Sequence, residues 1–173
     1  TLATNKKLEI NFWTSFLSIL NSEKISIAFV ITDKAKAIKL SWKDVTILRR
    51  AYRKMLEEFV KKHLHSTKSC GKIIAESDPT QDTYLIEAHN KLQGSGIPSE
   101  GITGPQYRAM ITSLSLVNKL NLDDDIQIAD SLAVMADVVY EIKLGNKKGL
   151  TRVQKIMKRL IERKMKDNRS EEH

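Results

Sequence analysis

A chain of 173 residues, 41% hydrophobic and 29% charged, is sized for one ordinary domain and is too apolar to be a disordered tail. Its single cysteine, Cys70, excludes an internal disulfide, and no apolar run approaches the roughly 18–20 residues that a membrane-spanning helix requires. The net charge of +8 is concentrated: residues 147–169 carry ten Lys/Arg against Glu162 and Asp167, whereas residues 1–146 carry nineteen against seventeen acids. Localised excess of this kind points to an anionic partner more firmly than overall basicity does.

The opening "TLATNKKLEINFW" has neither an initiator methionine nor a signal-peptide core and reads as a piece of a longer protein, with processing as the alternative origin; the lone cysteine suits an intracellular, reducing setting or a disulfide-free design. Leu8, Phe12, Phe16 and Ile19 recur at helical spacing and predict a helix over about 6–20. In "EKISIAFVITDKAKAIKL" the alternation Ile25, Ile27, Phe29, Ile31 favours a small hairpin over 25–40, with a buried helix as the alternative. "SWKDVTILRRAYRKMLEEFVKKHL" predicts a helix with Ser41 as N-cap, Asp44 favoured by the dipole and a stripe from Val45 through Val60. Residues 66–83 read as a loop with an apolar insert at Ile73 and Ile74, followed by a short helix in "YLIEAHNKLQ".

The strongest break is "GSGIPSEGITGP", residues 94–105, with four glycines and two prolines in twelve residues. It divides the chain into an N-terminal helical half (1–93), a loop or hinge (94–104) and a C-terminal bundle (105–173), unless all form one domain. Thr103 or Gly104 with Pro105 predicts a helix start running on through "QYRAMITSLSLVNKL". Asp123, Asp124 and Asp125 precede a helix with the stripe Ile128, Leu132, Met135, Val139, Ile142, and Ile126 with the alanines 129, 133 and 136 suggests deep burial. Gly145 suits its C′ position. The expected fold is mainly α, with about six helices and at most the one hairpin.

The final helix combines an apolar stripe (Val153, Ile156, Met157, Leu160, Ile161, Met165) with dense cations. Lys147, Lys148, Arg152, Lys155, Lys158, Arg159, Arg163, Lys164, Lys166 and Arg169 are the candidate contacts to RNA or DNA phosphates. Arg49, Arg50 and Arg53 are accessory candidates, although Glu57 and Glu58 are placed to pair with the cations of that helix. A solvated helix face, a membrane surface or a calmodulin-like groove are the competing explanations of the terminal helix. No signature for base-specific readout is present, so binding would be independent of sequence.

Other constellations carry less chemistry. His63, His65 and Cys70 lack the Cys-x-x-Cys anchor or further clustered ligands that zinc requires, and Cys70 has no placed base. The aspartates 123–125 lack the spacing of a calcium loop and are accounted for as a helix start. The glycines of 94–104 lack the lysine of a phosphate loop. The expected function is a non-enzymatic domain without cofactor or metal that binds nucleic acid in a larger nucleoprotein or regulatory assembly. The alternative is a protein-interaction or self-association module, another chain or a second copy docking on the last helix's apolar stripe or on Trp13.

Overall fold

The computed structural model describes residues 5–22, 27–118, 124–145 and 149–170. Among them the chain is mainly α, with seven α-helices and one two-stranded sheet. It divides into two compact units, a middle one spanning Val30–Gln127 and one made from the chain's two ends, up to Phe29 and from Ile128.

The end unit contains α1 (Lys6–Ser22), most of α6 (Asp124–Lys143) and α7 (Arg152–Ser170). Its core joins Leu20 of α1, Met135, Val138 and Val139 of α6, and Val153, Met157, Leu160 and Ile161 of α7. Trp13, Phe16, Ile128, Leu132 and Ile142 close around it half-buried. The stripe expected on α6 and the described part of that on α7 therefore point inward, whereas on α1 Leu8, Phe12 and Ile19 are exposed and Ile10, Trp13, Phe16 and Leu20 face the core instead. The alanine row does not: Ala136 is buried, whereas Ala129 and Ala133 are exposed, so α6 buries one side only. Gly145 has φ +76° and its N–H donates to Ile142 O, as a helix-ending glycine should.

The middle unit contains α2 (Lys34–Lys39), α3 (Asp44–Phe59), β1 (Gly71–Glu76), α4 (Asp82–Ser95), α5 (Gly104–Met110) and β2 (Ile111–Val117). No strand occurs in 27–40. Asp33 instead accepts from the Lys36 N–H and caps α2, which replaces the predicted hairpin; the residues 25 and 26 lie outside the described set. Ser41 is no cap either, since it has φ +59° and α3 begins only at Asp44 after an uncapped Lys43. Beyond Phe59 the helix continues as a π-turn, Val60–His65. Leu56, Val60 and Leu64 are all buried, and their uniform four-residue spacing overshoots a 3.6-residue turn; the wider π-turn keeps all three on the core side.

The β element is a parallel pair, Lys72↔Ser113 through Glu76↔Val117, built from segments read as loop and as helix. In β2 the alternation Ser113, Leu114, Ser115, Leu116 sends leucines to the core and leaves serines exposed, a period of two that a helix cannot satisfy. Hence α5 stops at Met110. Its start is as expected, with Thr103 and Gln106 forming a capping box ahead of Pro105.

The Gly/Pro-rich stretch 94–104 lies within this middle unit and is anchored in its core. Ile97 and Ile102 are buried and pair across an antiparallel bridge around a 3₁₀ turn, Pro98–Glu100. Gly96 has φ +67° and ψ −153°, a conformation nearly reserved for glycine, and a Cβ there would lie 2.1 Å from Ile102 O. With α5 and β2 in the middle unit and α6 and α7 joined to α1, the compact units are not the halves 1–93 and 105–173.

Candidate polyanion-binding face

The cationic face starts at Thr151. Its backbone N–H donates to Gln154 Oε1 at 3.1 Å and its hydroxyl accepts from the Gln154 N–H at 3.2 Å, a reciprocal box that fixes where α7 begins. From there Val153, Met157, Leu160 and Ile161 turn into the core, each burial stabilising by about 1.5–3 kcal/mol. At 100° per residue the opposite side of the helix carries Arg152, Lys155, Arg159 and Arg163, all exposed. They span about 16 Å along the axis. Lys158 sits at the flank and pairs with Glu162 at 3.5 Å, the one acid between residues 152 and 163. None of the other four is in an ion pair among the described residues.

Lys164, Lys166 and Arg169 lie on α7, but their side chains are outside the described set, as are Lys147 and Lys148 altogether.

The arginines of α3 are in a different condition. Arg49 makes a forked contact with Glu87, Nε to Oε2 at 2.7 Å and Nη2 to Oε1 at 3.2 Å, and lies 5.6 Å from the Tyr84 ring centre. Arg53 meets Glu57 at 2.7 Å. Arg50 is stacked 4.1 Å over Trp42. Around them Glu58 takes Lys54 at 2.7 Å and Lys62 at 3.5 Å, and the Lys54 hydrogen bond holds the Glu58 carboxyl below its ordinary range. The α3 group is thus matched by nearby acids, and it belongs to a different compact unit from α7.

Histidine and cysteine candidates do not converge. His63 is half-buried beside Phe59, His65 is exposed, and Cys70 is exposed with its thiol donating to Ala109 O at 3.3 Å. No group of three or more potential metal ligands occurs among the described residues. Asp124 opens α6, while Asp123 and the Asp125 side chain lie outside the described set.

The middle unit also contains a buried polar network that sequence reasoning passed over. His89 on α4 is buried; its Nδ1 is 3.0 Å from the Tyr107 hydroxyl and its Nε2 is 3.0 Å from Gln93 Nε2. A neutral ring has one N–H, so it donates through one nitrogen and accepts at the other, with Tyr107 and Gln93 in the complementary roles. Burial lowers the His89 pKa and pushes the Tyr107 phenol well above its usual value, so both groups stay neutral near pH 7. The available signal was positional: residue 89 belongs to the inward row Leu85, Ala88, Leu92 of α4. No helix among the described residues is long and apolar enough to cross a membrane. Compared with protein-family models, curated proteins and solved structures, the chain matches none.

Proposed function

We propose that this chain is a non-enzymatic intracellular domain that binds the phosphate backbone of RNA or DNA through α7, without reading sequence. The observation that carries this reading is the contrast between the two basic groups. On α3 the arginines are occupied by Glu87, Glu57 and the Trp42 ring, whereas Arg152, Lys155, Arg159 and Arg163 form an exposed row with no ion pair among the described residues. An unpaired row is the costlier arrangement for an isolated fold, because like charges at i,i+4 repel. It becomes favourable when phosphates replace the missing acids and condensed counterions are released. The apolar stripe of α7 is committed to the chain's own core, so docking of another chain through that stripe would require unpacking it. Titration of the chain with single- and double-stranded oligonucleotides at two salt concentrations tests the reading. Binding that weakens steeply with salt is expected; no binding at low salt removes the proposal.

A further inference from the structure

The sheet of the middle unit is incomplete on physical grounds. Parallel pairs normally lie inside larger, doubly covered sheets, and two strands alone are marginal in water. Here β1 and β2 have only each other as strand neighbours among the described residues. The Ser77 N–H donates to Val117 O at 2.9 Å, which fixes the sense of the ladder. Strand peptide groups alternate sides, so Ser113, Ser115 and Val117 turn theirs to β1, and Leu114 and Leu116 turn theirs to the open edge.

The two open edges differ in protection. That of β1 has Lys72 and Glu76 flanking Ile74, the kind of charged guard that discourages pairing with other chains. The edge of β2 has none: Ile-Thr-Ser-Leu-Ser-Leu-Val contains no charge and no proline, and its one irregularity lies at the far end, opposite Gly71/Lys72. Ser113 and Ser115 are exposed on the face away from the core.

We propose that the free edge of β2 pairs antiparallel with the same edge of a second copy, about a twofold axis through Ser115. A second copy fits because Leu114-Ser115-Leu116 is the same read in either direction about Ser115. In this register Leu114 of each chain faces Leu116 of the other and they exchange both backbone hydrogen bonds. Ser115 meets its own counterpart at a close, non-hydrogen-bonded position, where two hydroxyls can bond, and Ser113 faces Val117. No like charges meet, the leucines stay in their own cores, and a four-stranded sheet replaces two marginal pairs.

Sedimentation of the 173-residue chain tests this. The wild type is expected at twice its 19.7 kDa mass at high concentration. Ser115→Lys and Ser115→Glu, which place like charges across the axis, are each expected to be monomeric with unchanged circular dichroism. Mixing the two variants in equal amounts restores the dimer. Independently of any substitution, amide exchange at Leu114 and Leu116 of the wild type slows as concentration rises, while Ser115, already bonded to β1, does not respond. A wild type that stays monomeric overturns the proposal, including one that takes up an uncharged extended peptide on this edge. So does a dimer untouched by either charge, a pair of monomeric variants that fail to associate on mixing, or exchange at Leu114 and Leu116 that ignores concentration.

Discussion

His89 connects burial to a measurable pH dependence. Its folded-state pKa is depressed from the ordinary imidazole value of 6.5 because the charged ring would lose its hydration inside the middle unit. Below 6.5 the unfolded chain therefore takes up a proton that the folded chain refuses. Stability is full above that pH and falls as pH drops from 6.5 toward the lower folded value. Urea midpoints measured from pH 8 to 5 are expected to decline in that window, and His89→Gln is expected to flatten the decline. The carboxylates with lowered pKa, Asp33, Glu58 and Asp78, act separately: their contribution is present above the ordinary carboxylate range and is lost only in stronger acid. Tyr107→Phe removes the hydroxyl bonded to His89 Nδ1 and is expected to cost about 1–3 kcal/mol, read from the urea midpoint.

At the scale of elements, the long helices were legible because their periodicity coincides with burial. The stripes of α6 and α7 supply most of the end unit's core, α1 being the exception because only Phe16 of its predicted row turns inward, and Thr103–Gln106 and Gly145 are terminators whose chemistry is local. Thr103→Ala is expected to lose about 1 kcal/mol in thermal or urea unfolding. Gly96→Ala is expected to lose more, at least about 2 kcal/mol, since it meets both a strained backbone and the Ile102 carbonyl. The parallel strands were illegible for a different reason. Gly71 and Ile111 are forty residues apart in sequence, and such pairing is decided by long-range contacts that no local window contains. "ITSLSLV" even carries the period-two signal, but it directly follows a well-capped helix, and the run through Leu120 masked the switch. The Gly/Pro stretch misled in the opposite direction: its glycines permit a tight, anchored turn at Ile97–Ile102, and composition alone does not distinguish that from a hinge.

For the whole molecule, the charge distribution carries the functional claim. The terminal excess was readable by counting, and the i,i+4 acids of α3 made its partial neutralisation readable as well. The Arg49–Glu87 and Lys61–Glu100 pairs were not, because each joins segments brought together only by the fold. Surface pairs of this kind add about 0–1 kcal/mol, so their consequence is for the electric field more than for stability. Removing Arg49 should accordingly leave nucleic-acid affinity within about twofold, whereas removing the α7 row should lower it at every sequence tested alike.

The most direct test is the slope of log affinity against log salt for a single-stranded oligonucleotide, compared between the wild type and a variant with Arg152, Lys155, Arg159 and Arg163 all changed to Ala. The slope is expected to become shallower by about 0.7 for each of these cations that meets a phosphate, with Arg49→Ala leaving it unchanged. An identical slope in the wild type and the α7 variant, or wild-type binding indifferent to salt, would contradict the account.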